Sequence, residues 1–130
     1  MRVLVDTQCW LWMHLRPERL SATARTILAA ERTELHLSAA SVWEIAIKHG
    51  IGKLDLPLPL AEYVLSRLER SRTMVLAIDH HHALRVASLP PHHRDPFDRI
   101  IVAQAQVERL PIVTADRQLE AYDVALLGLE

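Results

Sequence analysis

The chain has 130 residues, half of them apolar, with a formal net charge of −1 and a single cysteine. This length suits one domain with a sizeable core, and the apolar content excludes a disordered chain. The lone cysteine rules out an internal disulfide and a multi-cysteine zinc site, the charge gives no overall pull toward nucleic acid, and no apolar run reaches the roughly 20 residues of a membrane span.

The N-terminus, Met1-Arg2-Val3-Leu4-Val5-Asp6, lacks a signal peptide's long apolar region, so a cytoplasmic protein is expected. Arg2 to Val5 reads as a buried strand ending in Asp6, and Thr7 to Leu15 as a short helix broken by Pro17. Ser21 to Glu31 is a helix capped by Ser21. Leu35 to Leu37 is a second strand, followed by a helix over Ser38–His49 that Gly50 and Gly52 end. After the Pro57/Pro59 loop, Leu60 to Arg70 returns to helix and Met74 to Ile78 forms a third strand. Asp79 caps a helix to about Ala87. A proline-rich loop then leads to Asp95, a cap, and Pro96 at the first position of the next helix. Ile112–Thr114 is a fourth strand, Asp116–Ala121 a short helix and Val124–Leu126 a fifth strand. Alternating helices and β-branched strands predict an α/β fold with a parallel sheet, with residues 1–130 as one domain.

In such a sheet the carboxyl ends of the strands form the ligand crevice. Asp6 and Asp116 directly follow strands, and Glu44 and Asp98 lie in the first two turns of helices leaving the same edge. Asp98 shares a helix face with Ile101, Val102 and Ala105, a costly place for an unpaired carboxylate. Carboxylates converging there would repel one another, and a hard divalent cation, Mg²⁺ or Mn²⁺, would neutralise them. Each has a purely structural alternative. Asp6 could cap a helix, Asp98 could partner Asp95, and Asp116 could complement a helix dipole. Glu44 could close a capping box with Ser41, although Ser38 is the better cap.

Val5-Asp6-Thr7, Ser41-Val42-Trp43-Glu44-Ile45, Asp95-Pro96-Phe97-Asp98-Arg99 with the Ile-Ile-Val-Ala-Gln-Ala that follows, and Val113-Thr114-Ala115-Asp116 together resemble the PIN-domain ribonucleases, and among them the VapC-type toxins of bacterial toxin–antitoxin pairs. The resemblance runs in order over essentially the whole chain. It implies a three-layer α/β/α sandwich with a five-stranded parallel sheet, and a Mg²⁺ or Mn²⁺ site that hydrolyses RNA. Asp6, Glu44 and Asp98 match the family's three core acidic positions, Asp116 the fourth, and Thr7 and Thr114 the hydroxyl residues beside them. The resemblance also implies a cognate antitoxin, whose C-terminal segment lies beside the active site, and a homodimer or higher oligomer. Gln8-Cys9 departs from many relatives and bears on substrate preference.

Arg99, Arg94, Lys48 and Arg117 lie near the expected crevice and could hold phosphates, with solvated surface charge as the alternative. His80-His81-His82 diverge around a helix axis and do not make a metal tract. His92 and His93 could reach substrate, with a polar surface loop as the favoured reading, and Cys9 reads as a packing residue and Trp43 as core. Trp10 and Trp12 cannot both face the same way, so one is expected to be partly exposed, and a tryptophan-lined groove would serve the antitoxin segment that the resemblance implies. An aspartyl-phosphate phosphatase or receiver would want a second Asp two residues after the nucleophile or a lysine near the fourth strand, and neither is present. A non-catalytic RNA- or protein-binding domain of the same fold is the remaining alternative.

Overall fold

Along Arg2–Val5 (β1), Val3 and Val5 face one hydrophobic cluster and Leu4 another, the alternation an extended chain imposes. All three are fully buried, so both faces of the strand are covered, as in a parallel sheet enclosed by helices. The computed structural model describes residues 1–130. After β1 come helices α1 (Thr7–Leu15) and α2 (Ala22–Ala29), joined by a 3-10 turn at Pro17–Arg19. Strand β2 (Glu34–Ser38) leads into α3 (Ala39–Gly50) and α4 (Leu60–Arg70). Strand β3 (Met74–Leu76), α5 (His80–Val86) and α6 (Pro96–Glu108) follow. The chain finishes with β4 (Ile112–Val113), a 3-10 turn at Arg117–Ala121 and β5 (Leu126–Leu127).

The strands form one five-stranded, wholly parallel sheet in the order β3-β2-β1-β4-β5. Val3 lies opposite Leu35, and Leu4 opposite Ile112. On one face, α1 to α4 bury Trp10, Leu28, Ile45 and Tyr63 against Val3, Val5 and Leu37. On the other, α6 buries Ile101, Val102 and Ala105 against Leu4 and Ile112, with α5 packed on α6. This is the expected α/β/α sandwich. The chain winds outward from β1 through β2 to β3, then crosses to β4 and β5 on the other side. The winding reverses at β1, which opens a crevice beyond the carboxyl ends of β1 and β4.

Local signals set most element starts. Asp6, Ser21, Ser38, Asp79 and Asp95 each cap a helix by accepting a backbone N–H, and Pro96 opens α6. The ends differ from expectation. Helix α2 stops at Ala29, not Glu31, because the chain turns over Ala30–Thr33 to align Glu34 beside Met1. Strand β3 ends at Leu76 instead of Ile78. Strand β5 begins at Leu126, beyond the expected start at Val124, because Val124 donates its N–H to the Tyr122 carbonyl and is held in a turn. The helix expected over Asp116–Ala121 is a 3-10 turn. Trp43 is not core: it is 62% exposed, because α3 turns Ser41, Glu44 and Ile45 inward instead. Trp10 is fully buried and Trp12 is the partly exposed one, packed against the core on one side. No helix is long and apolar enough to cross a membrane.

Candidate active site

Asp6 occupies the carboxyl end of β1, in the crevice. One carboxylate oxygen accepts from the Cys9 N–H at 2.7 Å and caps α1. The other accepts from the Thr114 hydroxyl, which itself accepts from the Asp116 N–H at 3.0 Å. The capping role is therefore real but uses half the group; the second oxygen ties the end of β1 to that of β4. Burial pushes the Asp6 carboxyl above its ordinary value, the Thr114 and Cys9 hydrogen bonds pull it down, and the Asp116 charge raises it again. Cys9 is buried as expected, and burial together with Asp6 pushes its thiol up, so it is an inert packing residue.

Glu44 reaches the same place from α3. Ser38 caps that helix, and Ser41 instead accepts a hydrogen bond from the Thr7 hydroxyl at 2.8 Å, so no capping box involves Glu44. Glu44 is buried, with Lys48 one turn on at 2.7 Å from its carboxylate. Lys48 therefore serves a carboxylate of the cleft.

Asp98 projects from the first turn of α6, where Asp95 caps and Pro96 starts the helix. Its carboxyl is pushed up to about 7, first by burial and then by the charges of Asp95, Glu44 and Asp116, with His93 opposing. His93 Nε2 lies 3.2 Å from Asp98 Oδ2 and 3.4 Å from Asp116 Oδ2. The Asp95 N–H donates to His93 Nδ1 at 3.1 Å, so that nitrogen carries no proton and Nε2–H is the donor facing the two carboxylates. The Tyr122 hydroxyl holds the loop by accepting the His93 N–H at 2.8 Å. His93 thus belongs to the site, contrary to its reading as a surface loop. Sequence offered one clue, its place two residues before the Asp95 cap.

Asp6, Glu44, Asp98 and Asp116 all line one cleft of about 180 Å³, joined by Asp95, Thr7 and Lys48. Three potential ligand atoms, on His93, Asp98 and Asp116, lie within 4.8 Å of one another. With His93 Nε2 acting as a donor, the acceptors left facing the cleft are oxygens, chiefly of carboxylates, with the side chains of Thr7 and Gln8 beside them. Such a set fits a hard divalent cation and does not suit a thiolate- or imidazole-loving one.

The other candidates fall outside this group. Arg99 does not face the cleft: its guanidinium donates to the carbonyls of Val86, Leu89 and Pro90 and to the Tyr122 hydroxyl, and so clamps the loop before α6. Arg117 pairs with Glu120 at the surface. His82 turns inward to Glu108 at 3.1 Å and completes the Asp79 capping box, so the histidine run is structural, as its geometry requires.

Residues 3–125 match the family described as PIN domain. The chain is 30% identical over 121 residues to Ribonuclease VapC22 of Mycobacterium tuberculosis, covering 92% of this chain and 91% of that protein. It is 47% identical over 81 residues to Ribonuclease VapC16 of the same organism, a match spanning 58% of this chain and only 57% of that protein. Among solved structures, VapBC2 from Rickettsia felis bound to a promoter DNA fragment is similar with a TM-score of 0.70 and 15% identity, over 97% of both chains. FitAcB from Neisseria gonorrhoeae is similar with a TM-score of 0.63 and 24% identity, over 97% of this chain and 96% of that one.

Proposed function

Because this chain belongs to the PIN-domain family, we propose that it is a metal-dependent endoribonuclease, that residues 1–130 form one PIN domain, and that it acts in the cytoplasm as the toxin of a toxin–antitoxin pair. The observation that carries this reading is the cleft itself. Carboxylates from the ends of two strands and the starts of two helices share a space of about 180 Å³, and only Glu44 has a lysine beside it. Burying several carboxylates together is unfavourable, and Asp98 answers by holding its proton to about pH 7. A site in which burial raises both Asp6 and Asp98 above the ordinary carboxylate range favours a cation as counter-charge.

Asp6, Glu44, Asp98 and Asp116 would hold Mg²⁺ or Mn²⁺; when bound, the ion supplies an activated water at neutral pH and offsets charge developing on the phosphate. The residues do the positioning. The Thr114 hydroxyl fixes one oxygen of Asp6 and the Cys9 N–H the other, so that carboxylate cannot swing. Thr7 holds Ser41 and so locks α1 against α3, which sets the distance between Asp6 and Glu44. His93 keeps Asp98 and Asp116 together by donating between them. Thr7 and Thr114 act through these contacts, and Arg99 through the loop it clamps. The names of VapC22 and VapC16 support RNA as substrate, and the similar structure of VapBC-5 from Mycobacterium tuberculosis, described as a member of the VapBC family of toxin–antitoxin systems, supports a cognate antitoxin.

Asp6→Asn and Asp98→Asn should each leave the fold intact and abolish cleavage of an RNA panel in Mn²⁺ or Mg²⁺. Full cleavage by folded Asp98→Asn protein, purified free of host nucleases, would refute the proposal. RNA binding without cleavage in any divalent ion would instead favour a binding module.

A further inference from the structure

The acidic cleft does not end at its own walls. It opens past Gln8, Leu11 and Lys48 into a broad groove of about 690 Å³ between α1, the 3-10 turn that follows it and the segment after α3. Leu11, Trp12 and Leu15 form its apolar floor, and Arg16, Arg19 and Lys53 its charged rim. None of these three cations has a carboxylate partner among the ion pairs of the structure, and all three are exposed. Only Asp55 opposes them in the groove. A chain of net charge −1 therefore gathers three free cations and a partly buried tryptophan at one mouth of its acidic cleft. The cleft is unfavourable for a polyanion, so a neighbouring cationic track is what could bring one to it. Exposed cations beside an aromatic side chain suit a single nucleic-acid strand, with phosphates on the charges and a base against the ring.

We propose that this groove carries the RNA strand on one side of the scissile phosphate, with Arg16, Arg19 and Lys53 holding successive phosphates and Trp12 receiving a base. The assignment rests on the ribonuclease reading of the cleft. It makes the affinity for RNA a property of the groove and the chemistry a property of the cleft, so the two can be separated.

The test uses the whole chain and a short fluorescein-labelled single-stranded RNA, with EDTA present so that binding is read without cleavage. Arg16→Ala/Arg19→Ala/Lys53→Ala should lower the slope of log affinity against log salt by about 2, at roughly 0.7 per lost phosphate contact. Arg2→Ala/Arg32→Ala, at the amino ends of the strands and away from the crevice, should leave that slope unchanged. Trp12 packs partly against the core, so Trp12→Phe is the informative change there: it keeps a stacking face and should bind within a few-fold of wild type, whereas Trp12→Leu should lose roughly 5- to 100-fold. In Mn²⁺ the triple variant should raise KM and keep kcat. Wild-type salt slope and KM in the triple variant would overturn the channel while leaving the ribonuclease reading intact. Groove-dependent RNA binding by a wild-type protein that cleaves nothing would overturn the ribonuclease reading and keep the channel. If the triple variant binds RNA normally but no longer binds a polyglutamate peptide, the groove takes an acidic polypeptide and the proposal falls.

Discussion

Asp98 meets two opposed demands. Its helix face must be buried, yet its chemistry requires ionisation. Without a cation the conflict shows as a carboxyl at about 7 against an ordinary 3.8. The native state therefore binds this proton more tightly than the unfolded state does. The stability it contributes is complete below the unfolded value and is lost as pH rises through the folded one, so the metal-free protein weakens between about pH 4 and pH 7. Asp98→Asn should melt above wild type in EDTA at about pH 8, with the gap closing toward about pH 4. Mn²⁺ should raise the wild-type Tm and leave the variant's unchanged; equal melting in EDTA at the higher pH would contradict this account. His93 bears on the same group by donating between Asp98 and Asp116. His93→Ala should push the Asp98 carboxyl further up, which carbon NMR of the carboxyl would read directly.

At the scale of an element, α6 positions Asp98 and draws on three local devices. Asp95 accepts the Phe97 N–H at 2.8 Å, Pro96 supplies the first helical φ, and Arg99 clamps the preceding loop. Asp95 also adds a negative charge that pushes Asp98 up. Capping and charge can be separated. Asp95→Ala should cost about 1 kcal/mol in urea unfolding, and Asp95→Asn, which still caps, only a fraction of that. Both remove the charge, so both should lower the Asp98 pKa. If Asp95→Asn destabilises as much as Asp95→Ala, the charge matters to stability and the cap does not.

For the whole molecule, the outward face of α3 poses a question of partners. Trp43, Ile47 and Ile51 stand one turn apart along it, exposed by 62%, 39% and 62%, and Trp43 meets Phe97 of α6 edge to face with ring centroids 5.2 Å apart. An apolar row of this kind on a water-facing helix suits contact with another protein surface. It is a candidate surface for the homodimer or higher oligomer that the family resemblance implies, and Ile47 and Ile51 line a hollow that shares Glu44, Lys48 and Asp95 with the cleft. Trp43→Ala empties no core and should leave the Tm near wild type while shifting sedimentation equilibrium toward monomer. A wild type that is monomeric at every concentration would remove this face from consideration.

The order of strands and helices, the caps at Asp6, Ser38 and Asp95, and the grouping of Asp6, Glu44, Asp98 and Asp116 at one edge were legible in the amino-acid sequence. Those features follow from signals a few residues long, together with the rule that parallel strands end on one side. What tertiary structure alone decided concerns partners distant along the chain. Thr114 bonds Asp6 across 108 positions, and His93 reaches Asp116 across 23. Arg99, readable as a phosphate contact, is occupied by loop carbonyls, and Trp43, readable as core, faces out. For Arg99 and Trp43 the composition of the helix face was visible in the sequence, but its rotation against the sheet depends on how all the layers pack together. That rotation decides whether a charge meets a partner, a cleft or water.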